Sequence, residues 1–212
     1  MRDRACAVEP FANPLHHRNG AEGPGISKGL SLLARLTEAS IATVGLVVLS
    51  PIVLAAAIGV KATSPGPALL VQSRVGRHEA AFRCLKLRTM WRDTRAVPTH
   101  EAAASAVTPV GRFLRRTKLD ELPQLWNVIK GEMSFVGPRP CLPTQEALIS
   151  ARRRRGVYAL RPGITGLAQV RGVDMSDPER LAEIDAEYLA RRGLLLDVKI
   201  LLATLVPGLR AP

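Results

Sequence analysis

The chain has 212 residues, a formal net charge of +12 and only 4% aromatic residues. That length holds one domain with a real core plus a membrane element. The charge, carried mainly after Lys61, suits nucleic acid, an anionic membrane face or phosphorylated substrates, whereas the scarcity of aromatics argues against single-strand nucleic acid, which needs stacking platforms.

Residues 1–27 mix Pro, Gly, Asn and charge without periodicity. They read as a flexible leader. They do not read as a signal peptide, because the apolar stretch starts too late and no small-residue cleavage site follows it. His16-His17 falls in this leader and reads as unstructured rather than as a ligand pair. Cys6, Cys84 and Cys141 are odd in number and far apart. They show no metal-ligand spacing and read as reduced thiols of a cytosolic compartment.

Ala39 to Val60 carries no charge. As a helix it measures about 33 Å, the thickness of a bilayer core. Ser50-Pro51 sits in its middle. Proline removes one backbone hydrogen bond and kinks a helix, and a serine hydroxyl can satisfy the freed carbonyl. Arg35 and Lys61 flank the two ends, so the positive-inside rule favours neither side. The residues alone leave a spanning helix and a re-entrant one both open.

Ser64 to Gly76 reads as a turn and a short strand, and Phe82 to Met90 as a second strand. Glu101 to Val107 reads as a surface loop or short helix. Gly111 to Arg116 is basic, with Phe113 and Leu114 expected on one side. Leu119, Leu122, Leu125, Trp126 and Ile129 mark a helix face ended by Gly131. Pro123 belongs in the first turn of that helix. Asp120 and Glu121 then sit at its N-terminus, where the macrodipole favours anions. Arg152 to Arg155 reads as well as a solvated helix face as a binding site. RPGITGLAQV (Arg161 to Val170) reads as a loop entering a strand. Asp177-Pro178 starts a helix with Leu181, Ile184, Tyr188 and Leu189 on one face and Gly193 as its stop. Leu194 to Leu205 is apolar but short, and it carries Asp197 and Lys199, which suits a helix lying on a membrane.

The chemistry concentrates in TKLDELPQLWNVIKGEMSFVGPRP, Thr117 to Pro140. Adjacent acids next to a rigidly held arginine are what phosphoryl chemistry on a metal-bound diphosphate needs. The acids can hold a cation or attack phosphorus, and the arginine neutralises phosphate oxygens. Spacing does not tell nucleophile from metal ligand. Each signal alone has a bland reading: the acid pair as a solvated helix start, Lys86 and Arg88 as surface cations, GPRP as a turn. Their order behind a Ser-Pro membrane helix makes them a set.

That set resembles the bacterial sugar transferase family, the small monotopic polyprenyl-phosphate phosphoglycosyl transferases. The resemblance runs from about Arg35 to Thr204. It rests on LSP (Leu49–Pro51), SPGP (Ser64–Pro67), QSRVG (Gln72–Gly76), KLRTM (Lys86–Met90), the block from Val110 to Pro140, and RPGITGLAQV. It implies an α+β, mainly helical fold: a re-entrant membrane helix over 28–61 and a small cytosolic catalytic domain over 62–212, with amphipathic interfacial helices. It implies transfer of a sugar 1-phosphate from a UDP-sugar to polyprenyl phosphate with release of UMP, on the cytoplasmic face of the bacterial inner membrane, with Mg²⁺ as cofactor.

In this resemblance Asp120 is the nucleophile that forms a phosphosugar-aspartyl intermediate. Glu121 holds the metal or places the lipid phosphate, and both acids are candidate metal ligands. Arg139, beside Pro140, binds phosphate. Lys86, Arg88 and Arg112 are further phosphate or active-site contacts, and the Arg161 to Gln169 loop helps form the nucleotide-sugar pocket. The sequence departs from the family at Glu38 (usually Asp), at Ala34-Arg35 (usually Lys-Arg) and near Glu79 (usually Gly). The partners implied are a UDP-sugar, polyprenyl phosphate and the membrane, with no nucleic acid; a homodimer is left open. The stretch Arg171 to Leu189 also resembles members acting on N-acetylated amino sugars. The competing reading, a basic membrane-surface module without catalysis, requires that Asp120-Glu121 be dispensable.

Overall fold

A computed structural model describes residues 28–92 and 104–206. The leader, with Cys6 and His16-His17, and the first residues of the 101–107 segment lie outside the described residues. The first element is a 36-residue helix, α1 (Lys28–Thr63). An antiparallel hairpin follows, β1 (Leu69–Val75) and β2 (Ala81–Leu87), in register Gln72↔Cys84. After a 3-10 turn at Ala104–Ala106 come α2 (Pro109–Thr117), a second 3-10 turn (Leu119–Glu121) and α3 (Gln124–Lys130). The chain continues through β3 (Ser134–Val136), α4 (Glu146–Arg154), β4 (Gly163–Thr165), α5 (Leu167–Val170), α6 (Pro178–Arg191) and α7 (Leu194–Leu205). β3 and β4 pair in parallel. The architecture is mainly helical, as the sequence suggests.

α1 is helical straight through Ser50-Pro51, so no helix–break–helix appears in the hydrogen-bonding pattern. The proline cannot donate to Val47 O, four residues back. Ser50 Oγ donates to that same carbonyl at 2.7 Å, so the freed acceptor is satisfied as the sequence predicts. The helix is long and apolar enough to cross a membrane. Val44, Val47, Val48 and Leu54 are all more than 60% exposed. Where it is covered, both halves touch the same body. Ala42 packs with Leu125 and Val128, and Val60 packs with Leu87 and Leu114. Arg35 donates to Val128 O and, at 2.8 Å, to Ile129 O. Glu38 accepts from Ser134 Oγ.

The main core gathers α4, α5, α6 and α7 around β3. Leu148, Leu167, Leu181, Ile184 and Ile200 are each 2% exposed or less, and burying each contributes about 1.5–3 kcal/mol. α6 starts as predicted: Asp177 caps it by accepting from Arg180 N at 3.0 Å, with Pro178 in the first turn. Asp197, an odd charge in apolar α7, accepts from Tyr188 Oη at 2.7 Å and so ties α7 to α6.

Four sequence readings are corrected. Phe113 and Leu114 part company: Leu114 is buried and Phe113 is 60% exposed, because adjacent helical positions lie about 100° apart. In α3 the inward face holds Asn127 and Val128, not Trp126. Asn127 earns burial by donating to Arg83 O and accepting from Leu85 N, which docks α3 on β2. RPGITGLAQV is a strand followed by a short helix, the reverse of a loop entering a strand. Arg152 is fully buried while Arg153 and Arg154 stay exposed, so the arginine run is not one solvated face. Near Glu79, where the family has glycine, His78 and Glu79 adopt left-handed φ of 55° and 60°, a conformation glycine accepts freely.

Candidate active site

The acid pair stands in the 3-10 turn between α2 and α3. Lys118, in left-handed conformation (φ 61°), closes α2 through its N–H to Leu114 O and Arg115 O. The chain thereby turns at once into Leu119–Glu121. Pro123 follows as the cap of α3, so the acids precede the helix as expected. Both are buried.

Facing them is the Gly137–Pro140 loop. It leaves β3 across an apposition that only glycine permits. A Cβ on Gly163 would lie 2.1 Å from Gly137 N, and one on Gly166 would lie 2.2 Å from Gly137 O. Arg139 Nη2 reaches across and donates to Glu121 Oε1 at 2.5 Å.

Between the turn and the loop lies a cavity of about 370 Å³. Its lining includes four cations, Arg74, Lys86, Lys118 and Arg139, together with Glu121 and Gln124. It also includes Ala168, Gln169, residues Gly172 to Met175, Leu181 and Asp185. Gln169 Nε2 donates to Ile164 O at 3.4 Å, and its buried Oε1 has no hydrogen-bond partner. An acceptor left so in a cavity wall is available to a ligand donor.

Electrostatics separate the two acids. Burial, then the neighbouring Glu121 charge, push Asp120 up to about 6, against the pull of Lys86, Arg115 and Arg139. Burial also penalises the Glu121 carboxylate, but the Arg139 guanidinium outweighs it and holds Glu121 below the ordinary glutamate range. Burial, with Arg74 and Arg139 nearby, lowers Lys86 to about 8. One acid is therefore locked as an ion-pair partner and the other is poised to change protonation, a pattern typical of functional sites.

Of the residues singled out from the sequence, Glu121, Lys86, Arg139, Pro140 and Gln169 line the cavity. Asp120 lies in the same turn between the lining residues Lys118 and Glu121 without lining it. Arg88, Arg112 and Arg161 do not line it either. Arg88 Nη2 donates to Ser64 O at 2.7 Å and fastens the end of α1. Arg112 is exposed on α2. Arg161 contributes its backbone beside Gly137.

Sequence reasoning missed Arg74, Arg152, Asp185 and the Gly172–Met175 loop. Arg74 lies in the quoted QSRVG segment, where alternation sets it opposite Val71 and Val75 and so points it outward; the strand instead buries Arg74 and Val75 together. Arg152 carries no local signal that sets it apart from the next three arginines.

Among the described residues no group of three or more His, Cys, Asp or Glu gathers as a metal cage. The donor set fits Mg²⁺ nonetheless. That ion takes one or two carboxylates and completes its octahedron with water and substrate phosphates, and Asp120 and Glu121 are the carboxylates that would hold it.

The bacterial sugar transferase family matches residues 30–211, and the chain belongs to that family. It is 39% identical to the UDP-glucose:undecaprenyl-phosphate glucose-1-phosphate transferase of Caulobacter vibrioides over 99% of this chain and 80% of that protein. It is 36% identical to the Escherichia coli protein of the same name, over 84% of this chain and 40% of that protein. The UDP-N-acetylgalactosamine-undecaprenyl-phosphate N-acetylgalactosaminephosphotransferase of Aeromonas hydrophila is 35% identical over 85% of this chain and 43% of that protein. The chain thus spans most of the first relative but less than half of the other two.

Proposed function

We propose that this protein transfers a hexose 1-phosphate from a UDP-sugar to undecaprenyl phosphate and releases UMP, the first membrane step of a bacterial surface polysaccharide or glycoconjugate. The observation that carries the reading is the Asp120-Glu121 turn set against Arg139 across a cation-rich cavity. A diphosphate needs such cations to offset its charge. A buried carboxylate with a raised pKa is a stronger nucleophile once ionised.

Asp120 attacks the β-phosphorus of the UDP-sugar. The bond from that phosphorus to the bridging oxygen breaks, UMP leaves with the electron pair, and an aspartyl-phosphosugar remains. An oxygen of polyprenyl phosphate then attacks the same phosphorus and frees Asp120. Arg139 holds phosphate oxygens and keeps Glu121 ionised. Lys86 and Arg74 balance the charge that builds on the departing phosphate. Mg²⁺, held by Asp120 and Glu121, would neutralise diphosphate charge and orient its oxygens. UDP-glucose heads the candidate donors because the Caulobacter relative, named for glucose, aligns with nearly the whole chain. An N-acetylated amino sugar is the second, given the Aeromonas relative.

The test is UMP release from a panel of UDP-sugars with polyprenyl phosphate, with mass spectrometry of enzyme quenched after UDP-sugar alone. A phosphosugar adduct on Asp120 is expected, and activity should vanish on chelation. Turnover by Asp120→Asn would falsify the nucleophile assignment. Full activity in excess chelator would remove the metal.

The same reading seats α1 re-entrantly in the inner membrane, bent at Pro51 while staying helical on both sides of it, with the cavity on the cytoplasmic side where nucleotide sugars are made. Support comes from the packing of Ala42 and Val60 against one body, since a spanning helix carries its two ends to opposite faces. Exposed Leu194, Leu195 and Leu205 on α7 suit an interfacial helix. Cysteine labelling at Ser27→Cys, in a background without native cysteines, should report the cytoplasm. After Ser50→Ala with Pro51→Leu it should report the periplasm. Periplasmic labelling of the parent chain would mean that α1 simply spans.

A further inference from the structure

The Gly137–Pro140 loop has an unusual supply problem. Pro138 and Pro140 have no N–H, so the loop cannot be fixed by donating from those positions. It is held through its carbonyls instead. Pro138 O accepts from Gly163 N at 3.0 Å and Cys141 O from Val75 N at 3.0 Å. Between them, Pro140 O accepts from Arg74 Nη1 at 3.0 Å and Arg139 O from Arg152 Nη1 at 2.9 Å. Four successive carbonyls are thus clamped, and the two central ones by buried guanidinium groups.

Arg152 is the more telling of the two. It stands on α4, 2% exposed, and does not line the cavity. Its Nε and Nη2 both donate to Asp185 Oδ2, at 2.9 and 2.7 Å. Asp185, on α6, does line the cavity. The guanidinium therefore spends two donors on a carboxylate that fixes its plane and a third on the peptide of the phosphate-binding residue. A planar fork can do this; an ammonium cannot hold the three directions at once. Removal of a buried ion-pair partner costs stability in any protein. The bond to Arg139 O is different, because it acts on the backbone that carries the reactive guanidinium, where misplacement by a fraction of an ångström weakens phosphate contacts.

We propose that Arg152, oriented by Asp185, is a positioning residue for phosphate recognition: it sets the Arg139 peptide so that the Arg139 side chain meets the diphosphate. The inference rests on the reading of Arg139 as a phosphate ligand given above.

The experiment is a double-mutant cycle on the full-length protein. Arg152→Lys, Arg139→Lys and the double variant are compared in kcat/KM for the UDP-sugar and in UDP affinity by calorimetry. Thermal stability is measured in parallel. If Arg152 acts through Arg139, Arg152→Lys weakens UDP binding and kcat/KM by about tenfold in the parent. In the Arg139→Lys background it weakens them by less than about twofold. Its loss of thermal stability stays the same in both backgrounds.

Equal factors in the two backgrounds would make Arg152 merely structural and overturn the proposal. Asp185→Asn provides a second route if Arg152→Lys fails to fold. It keeps the shape and leaves Arg152 in place, and its smaller loss should be non-additive with Arg139→Lys in the same way; additivity would again overturn the proposal. An Arg139→Lys variant that binds UDP as the parent does would instead sink the assignment of Arg139. The UDP titration remains readable even where no transfer is detected, so a failure of the proposed reaction is told apart from a failure of the positioning role.

Discussion

The acid turn with its facing loop and the helix α1 treat polar groups in opposite ways. Asp120 and Glu121 are buried with cations beside them: Arg139 bonds Glu121, and Lys86, Arg115 and Arg139 draw on Asp120. In α1 between Ala39 and Val60 the polar side chains are hydroxyls only, and two of them bond their own helix: Thr43 to Ala39 O and Ser50 to Val47 O. The first region finds its partners within the protein, except at Gln169 Oε1. The second leaves a wide apolar surface whose partner must come from outside, and a bilayer is the solvent that matches it. The contrast shows where function and stability separate. The site carries charge that weakens the fold, and the fold's strength lies in apolar clusters whose buried members reach the cavity only at Cys84, Ala168 and Leu181 among the described residues.

The largest effect that tests this separation is Asp120→Asn. Turnover should fall by more than about a thousandfold, as removal of a covalent nucleophile does. Stability should move the other way. Asp120 rises from an ordinary 3.8 to about 6, so the folded state binds its proton more tightly than the unfolded chain does. The ionised form is then a liability of up to about 3 kcal/mol at neutral pH, which fades as pH falls from about 6 towards 4. Asparagine should therefore raise the melting temperature at pH 7.5 and leave it unchanged near pH 4. A lower melting temperature at pH 7.5 would show that the charge is held favourably and break the contrast.

Arg139→Lys should cost about ten- to a hundredfold in kcat/KM, because lysine keeps the charge beside Glu121 but loses the fork. Steady-state kinetics check this, and near-parental values would make the arginine structural. The pH profile of kcat/KM should be a bell. It should fall about tenfold per unit below about 6, where Asp120 is protonated, and decline above about 8, where Lys86 loses its charge. Flat activity from pH 5 to 9 would detach both groups from the reaction. The smallest effect belongs to the apolar region. Leu202→Asp on α7, at a half-exposed position, should lower the membrane-bound fraction by about three- to tenfold on vesicle flotation. The adduct formed from UDP-sugar alone should not change. Loss of the adduct would tie α7 to the chemistry.

Much of this was legible in the sequence. Asp120-Glu121, Pro123, Gly131 and the Asp177-Pro178 cap announce themselves because their signals are local: a missing N–H, a left-handed turn, a side-chain cap. Ser50-Pro51 was legible to the level of the carbonyl involved. Pairing Phe113 with Leu114 was a local misreading, whereas the polar side chains were misread because their partners are long-range. Asn127 faces inward because the backbone of β2 needs a partner there. Arg88 is drawn to the end of α1. Arg152 is set apart from its neighbours by Asp185, 33 residues away, and by Arg139 O, 13 residues away. No window along the chain contains those pairings, so a reading by periodicity assigned the polar side chains to solvent or to substrate.

The glycine apposition between the two motifs has a consequence for how such a cavity can change. At Gly137, Gly163 and Gly166 any side chain would strike backbone, so GPRP and PGITG are locked against one another and none of the three glycines admits a side chain. At Gly172 the constraint is of another kind: the residue turns at φ +73°, a left-handed conformation that favours glycine, with nothing within 4 Å of an added Cβ. One side of the cavity lining is therefore held by contact and the other, at Gly172, by backbone conformation alone. A side chain added at Gly172 would strain its own turn without pushing on the backbone around Gly137.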